Sequence, residues 1–171
     1  MSRILTAFYS RAGENYFKGS YKVISVGNTQ KAAQTIASLT GADLYKIEET
    51  EPYSDNYQTC IAQAKKDLNE NKRPALKNPI PDLSKYDEIY LCYPNYWGTL
   101  PMAVYTFLES GDFTGKTIHP LCTHEGSGLS STPKDIAKTV PGTEVLKGLA
   151  VHGSDVDSSE NIIKKWIGES K

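Results

Sequence analysis

Five short apolar runs recur along this chain, at 4–9, 43–48, 88–93, 117–122 and 144–151, and a segment with helical character follows each. This alternation constrains the fold more than any other feature. A strand that lies parallel to its predecessor must be reached by a crossover of a dozen or more residues, and a helix is the usual one. Runs 4–9 and 88–93 are apolar or aromatic at nearly every position, as in strands covered on both faces. In 43–48, Leu44, Lys46 and Glu48 alternate with Tyr45 and Ile47. The first helix is expected from Asn28 or Thr29 to Thr40-Gly41, with Ala33, Ile36 and Ala37 on one face. Further helices are expected over 54–71 (polar, capped by Ser54 or Asp55), from Pro101 to Leu108, over 133–139, and at the end, where Ile162, Ile163, Trp166 and Ile167 form an apolar face. The pattern predicts an α/β protein: a three-layer, doubly wound fold with a five-stranded parallel sheet, one domain over residues 1–171.

In such a sheet ligands gather beyond the carboxyl ends of the strands. Three loops stand there. The first run ends in Ser10-Arg11, and Gly27-Asn28-Thr29 opens the helix that follows. A helix N-terminus with its unpaired N–H groups and partial positive charge is suited to a phosphate. Pro94-Asn95-Tyr96-Trp97-Gly98 follows the third run and Thr123-His124-Glu125-Gly126-Ser127 the fourth. An aromatic loop facing a Gly/Ser loop, with a phosphate turn beneath, suits a flat ring with a phosphate tail. Residues 12–26 interrupt the phosphate turn; Gly19-Ser20 divides them into two aromatic-rich halves, so a hairpin or ordered excursion is expected.

Composition removes several classes of function. The 19 basic and 20 acidic residues leave a net charge of −1, without the footprint expected for nucleic acid or an anionic membrane. No apolar stretch reaches bilayer length, and 4–9 is too short for a signal-peptide core, so a cytoplasmic protein is expected. Cys60, Cys92 and Cys122 have no metal-site spacing, and no metal site is expected.

Taken in order, the split phosphate turn, the 94–98 loop, Pro101, Gly115-Lys116-Thr117-Ile118 and the 123–128 loop resemble bacterial flavodoxins. The closer resemblance is to short flavodoxin-type proteins with an insertion in the phosphate-binding loop. The resemblance implies a flavodoxin-like sheet of order 2-1-3-4-5 that binds FMN without a covalent link at strands 1, 3 and 4. No second domain is left to hold an adenosine half, which favours FMN over FAD. By the same resemblance, Ser10, Asn28 and Thr29 hold the phosphate, and Arg11 adds a charged bond or faces solvent. Thr29 could instead simply cap its helix. Trp97 lies against the ring, and Tyr96 stands where relatives often carry a second tryptophan. Gly98 permits a peptide reorientation or forms a plain tight turn. Thr123, His124, Glu125, Gly126 and Ser127 face the pyrimidine edge. Whether Tyr16, Phe17 and Tyr21 touch the cofactor is left open.

Two functions fit. One is an electron carrier that cycles between flavin semiquinone and hydroquinone states, alone or as a weak dimer, between protein redox partners. The other is an NAD(P)H-dependent FMN reductase acting on quinones or similar acceptors. The near-neutral charge departs from the acidic balance usual in flavodoxins.

Overall fold

The computed structural model describes residues 3–169. Its parallel sheet is built from β1 (Ile4–Phe8), β4 (Asp43–Lys46), β5 (Glu88–Pro94), β6 (Thr117–His124), β7 (Glu144–Val145) and β8 (Leu149–His152). The order is β4-β1-β5-β6, with both β7 and β8 paired to β6, so it reads 2-1-3-4-5 when the last two are counted together. Alternation along β5 explains the three layers. Ile89, Leu91 and Tyr93 join the core that includes Val104 and Phe107 of α3 (Met102–Ser110) and Ile136 of α4 (Thr132–Thr139). Tyr90 and Cys92 point the other way, into the core made with Ala32, Ala33 and Ile36 of α1 (Asn28–Thr40) and Ile163, Trp166 and Ile167 of α5 (Glu160–Glu169).

Several boundaries depart from expectation. The fifth strand is not continuous over 144–151. Ile118 pairs with Val145 and Leu121 with Leu149, so three steps on β6 face four on its neighbour. Pro120 accounts for the break. Ile118 O accepts from Leu146 N, so residues 118 and 120 direct their polar groups to this side, and Pro120 has no N–H to offer. The extra residue leaves the Lys147 carbonyl out of the ladder, and Trp166 Nε1 donates to it at 3.0 Å. The second strand stops at Lys46, although Ile47 N still reaches Phe8 O at 2.7 Å. Helix α2 runs over Tyr57–Asn69 and is capped by Asn56, whose Oδ1 accepts from Thr59 N at 2.9 Å, rather than by Ser54 or Asp55. Ile162 is 58% exposed and not part of the apolar face of α5.

The 12–26 segment is an antiparallel hairpin, β2 (Gly13–Phe17) and β3 (Ser20–Ile24), outside the main sheet. Its two-residue turn, Lys18-Gly19, has both φ angles positive (51° and 83°), the turn whose twist matches the flanking strands. No helix among the described residues is long and apolar enough to cross a membrane.

Candidate functional site

At the carboxyl ends of β1, β5 and β6 lies a cleft of about 380 Å³. Its walls come from four directions: Arg11 with Asn15 and Tyr16 of the insertion, Asn28 at the start of α1, the ends of β5 and β6 with the loops after them, and one face of α2. Gly153, just beyond β8, completes it.

The N-terminus of α1 is held by side chains other than its own. Gly27 stands at the cap position, and Ser10 Oγ accepts from Gln30 N at 3.0 Å in its place. A Cβ on Gly27 would lie 2.1 Å from Ser10 Oγ and 2.8 Å from Arg11 O, so only glycine lets the end of β1 approach the helix this closely. Thr29 does not cap the helix. It is buried, and its hydroxyl lies 2.7 Å from that of Thr123, joining α1 to β6. Of Ser10, Asn28 and Thr29, Asn28 lines the cleft and the other two do not. The Arg11 guanidinium is spent on backbone: it donates to Glu14 O, to Ser54 O at 2.9 Å and to Asp55 O at 2.8 Å. It fastens the hairpin to the start of α2, and Glu14 Oε1 adds a second link by accepting from Tyr57 N.

Pro94, Asn95, Tyr96, Trp97 and Gly98 all line the cleft. Tyr96 and Thr99 bond to each other across a two-residue turn in which Trp97 and Gly98 both have positive φ, 55° and 82°. Asn-Gly is the usual pair in such a turn, and a bulky residue in this conformation is strained by about 1–3 kcal/mol. A tryptophan here is present for its side chain and not for its backbone preference. Its indole is half exposed, donates to Ile61 O at 2.9 Å, and has Lys65 Nζ 4.9 Å from its centroid. Asn95 ties the two ligand loops together: Nδ2 donates to Gly128 O and to Ser130 Oγ, and Oδ1 accepts from Gly98 N.

Beneath Tyr96 lies a buried polar group. Tyr9 meets the Tyr96 ring edge-on at 5.8 Å and donates its hydroxyl to Glu49 Oε1 at 3.1 Å. Tyr53 donates to Asp67 Oδ2 at 2.6 Å. Burial lifts the Glu49 carboxyl to about 7 against the opposing bond from Tyr9, with Glu48 and Asp67 raising it further. Burial also raises the Tyr96 hydroxyl and the Cys60 thiol.

At the end of β6 and in the loop after it, Thr123, His124, Glu125 and Ser127 line the cleft and Gly126 does not. His124 Nδ1 accepts from Gly126 N at 2.8 Å, which occupies that N–H within the loop. Burial, then His152, lowers the His124 pKa. Glu125 is not an exposed loop carboxylate: its side chain is 18% exposed, and Oε2 lies 3.2 Å from His152 Nδ1.

Sequence reasoning passed over the wall from α2, where Tyr57, Cys60, Ile61 and Ala64 all face the cleft. Their spacing of three and four is the helical signal that could have found them, in a helix otherwise read as polar. Tyr16, left open above, also lines the cleft, with its ring stacked on Tyr57 at 6.2 Å.

A family model described as Flavodoxin matches residues 18–170. Among curated proteins no sequence matches this chain. Among solved structures, a candidate flavoprotein of Bacteroides uniformis is similar at 27% identity and a TM-score of 0.77, with 98% of each chain covered. One from Bacteroides eggerthii is 25% identical with a TM-score of 0.71, over 95% of this chain and 98% of its own. A flavoprotein from Lactobacillus acidophilus, solved in complex with FMN, shares the fold at 20% identity and a TM-score of 0.69, over 92% and 98%.

Proposed function

Because this chain belongs to the flavodoxin family, we propose that it binds FMN in the cleft and carries electrons between protein redox partners. The observation that carries this reading is the cleft itself: the aromatic turn at 94–98 and the loop at 123–127 face one space of about 380 Å³. That volume is at the low end for ligand pockets, which suits one cofactor without a second substrate beside it. The FMN complex of the fold relative from Lactobacillus acidophilus supports the choice of cofactor. When bound, FMN supplies one- and two-electron redox chemistry. The chain's own residues bind and orient. Asn28 and the first N–H groups of α1 would hold the phosphate. Trp97 would cover the ring, and Asn95 keeps the two ring loops in register. The three cysteines are free and buried, which suits a reducing compartment. A cytoplasmic setting and a monomeric or weakly dimeric state belong to the same proposal.

The alternative is an NAD(P)H-dependent reductase acting on quinones, which the apolar wall of Tyr57, Cys60, Ile61 and Ala64 favours as a surface for a second flat ring. Anaerobic reduction of the FMN-loaded protein separates the two. With dithionite, a carrier is expected to reduce in two resolved one-electron stages and to respond slowly to NADPH or NADH. Fast reduction by either nucleotide would establish the reductase.

Trp97 provides a test of the ring site. Trp97→Ala is expected to weaken FMN binding by about 1–3 kcal/mol if the indole covers the ring. Because the side chain is half exposed, apo-protein stability should change by less than about 1 kcal/mol. Isothermal titration and urea unfolding measure the two; a loss of stability with unchanged affinity would make Trp97 a packing residue.

A further inference from the structure

The insertion hairpin holds apolar side chains in solvent: Val23 is 75% exposed and Tyr21 49%, on the face of the strand pair that also carries Tyr16. The tyrosines are not loose. The Tyr16 and Tyr21 rings lie 6.1 Å apart, and Tyr57 of α2 meets them at 6.2 and 5.2 Å. Gln58 Nε2 donates to the Tyr21 hydroxyl. One helical turn beyond Tyr57 comes Ile61, whose carbonyl accepts from the Trp97 indole. One turn further is Lys65, whose ammonium stands over that indole. The hairpin tyrosines, the α2 stripe and Trp97 thus form one row, and Tyr16, Tyr57, Ile61 and Trp97 of that row line the cleft. Aromatic side chains fixed in place lose little freedom on association, and protein interfaces are enriched in them.

Charge says what kind of surface the row fits. Lys18 and Lys22 are exposed on the hairpin, Lys22 with its ammonium 4.5 Å from the centre of the Phe17 ring, and Lys65 is exposed beside Trp97. The acids nearby are largely engaged. Glu14 accepts from Tyr57 N, and Asp67 is buried, with Tyr53 on one oxygen and Lys72 3.9 Å from the other. Asp55 is exposed, but it stands at the end of the hairpin away from the Lys18 turn, where its carbonyl accepts from Glu14 N and the Arg11 guanidinium. The row is therefore bordered by positive charge, in a chain whose net charge is −1. Such a border attracts an acidic surface and repels a basic one. A second copy of the chain would set the row against itself and bring like charges together.

We infer that the row formed by the hairpin, α2 and Trp97 is the docking surface for an acidic redox protein, an assignment that rests on the carrier reading and names the class of partner it calls for. The tyrosines and Val23 supply the apolar contact, and Lys18, Lys22 and Lys65 select the sign of the partner's charge. Trp97 belongs both to the row and to the cleft wall, so a protein seated on the row is brought up to the cofactor site.

Two acceptors of opposite charge test it on the FMN-loaded protein reduced with dithionite: plastocyanin, an acidic copper protein, and cytochrome c, a basic haem protein. One electron passes from the reduced flavin to Cu(II) or to haem Fe(III), and stopped-flow absorbance gives the rate. Salt is varied from roughly 10 to 300 mM, which shortens the screening length from about 30 Å to less than about 8 Å. With plastocyanin the rate is expected to fall by roughly tenfold or more as salt rises, and with cytochrome c not to fall. Lys18→Glu combined with Lys22→Glu should slow low-salt transfer to plastocyanin by roughly tenfold. Lys164→Glu combined with Lys165→Glu, the same change of net charge on α5, should alter it by less than about threefold. None of these four lysines lines the cleft, so FMN affinity, measured by fluorescence, should hold in both variants and shows that they are folded. The wild-type curves decide the sign even where a variant does not fold. A rate that falls with salt for cytochrome c and not for plastocyanin, or equal effects of the two double variants, would overturn the docking assignment and leave the carrier reading standing. A protein that takes up no FMN, or whose reduced flavin passes no electron to either acceptor, would overturn the carrier reading and the assignment with it.

Discussion

Glu49→Gln is expected to stabilise the apo-protein by about 3 kcal/mol at pH 8 while leaving it nearly unchanged at pH 4.5. Glu49 is 7% exposed, lies just past the second sheet strand, and accepts a hydrogen bond from the Tyr9 hydroxyl. Desolvation lifts its carboxyl from an ordinary 4.5 to about 7. The folded state therefore holds this proton between pH 4.5 and 7, where the unfolded chain has already released it. Its contribution to stability is complete below the unfolded value and is lost as pH rises through the folded one. Glutamine retains an acceptor for Tyr9 and carries no charge to desolvate. Urea unfolding at several pH values should give curves for the two proteins that converge in acid and separate steadily up to about pH 7. Curves parallel throughout would mean that the charge at Glu49 is compensated.

The second large effect is expected from Gly27→Ala, which should cost about 2–3 kcal/mol of stability through overpacking. Its φ of −63° and ψ of 149° are open to alanine, so the cost is not conformational. It comes from the added methyl, which would lie 2.8 Å from Arg11 O and 3.0 Å from Arg11 C. Ser10 could rotate away; the backbone of Arg11 cannot, and the end of β1 must separate from α1. The same separation frees Gln30 N from Ser10 Oγ and spoils the phosphate turn, so FMN affinity should fall together with stability. Retention of full stability would show that the β1–α1 approach is looser than these distances require.

How far the sequence led differs from one element to the next. Buried parallel strands were legible because residues such as Ile89 to Tyr93 are apolar on both sides of the pleat, and α1 because Gly41, at φ 74°, stops it with a left-handed cap. The break in the last strand was not, since it depends on which neighbour Pro120 faces, a relation between strands and not a property of one. Loop residues from Pro94 to Gly98 were legible as a group because each strand of such a sheet delivers its loop to the same edge. Thr29 and Arg11 were harder. Their side chains suit a phosphate, but Thr123 and the carbonyls of Glu14, Ser54 and Asp55 claim them, and these partners are remote in sequence apart from Glu14. For α2, average polarity concealed a narrow stripe facing the cleft.

The divided last strand has a consequence for how the molecule meets others of its kind. A long, regular strand on the rim of a sheet offers a row of open donors and acceptors on which a foreign strand can grow. Here the outermost strand offers two residues, then a break, then four. At the break the carbonyl that would invite pairing is already taken by the indole of Trp166. An incoming strand finds no uninterrupted register to extend, so the proline that splits the strand also guards this margin of the sheet against aggregation.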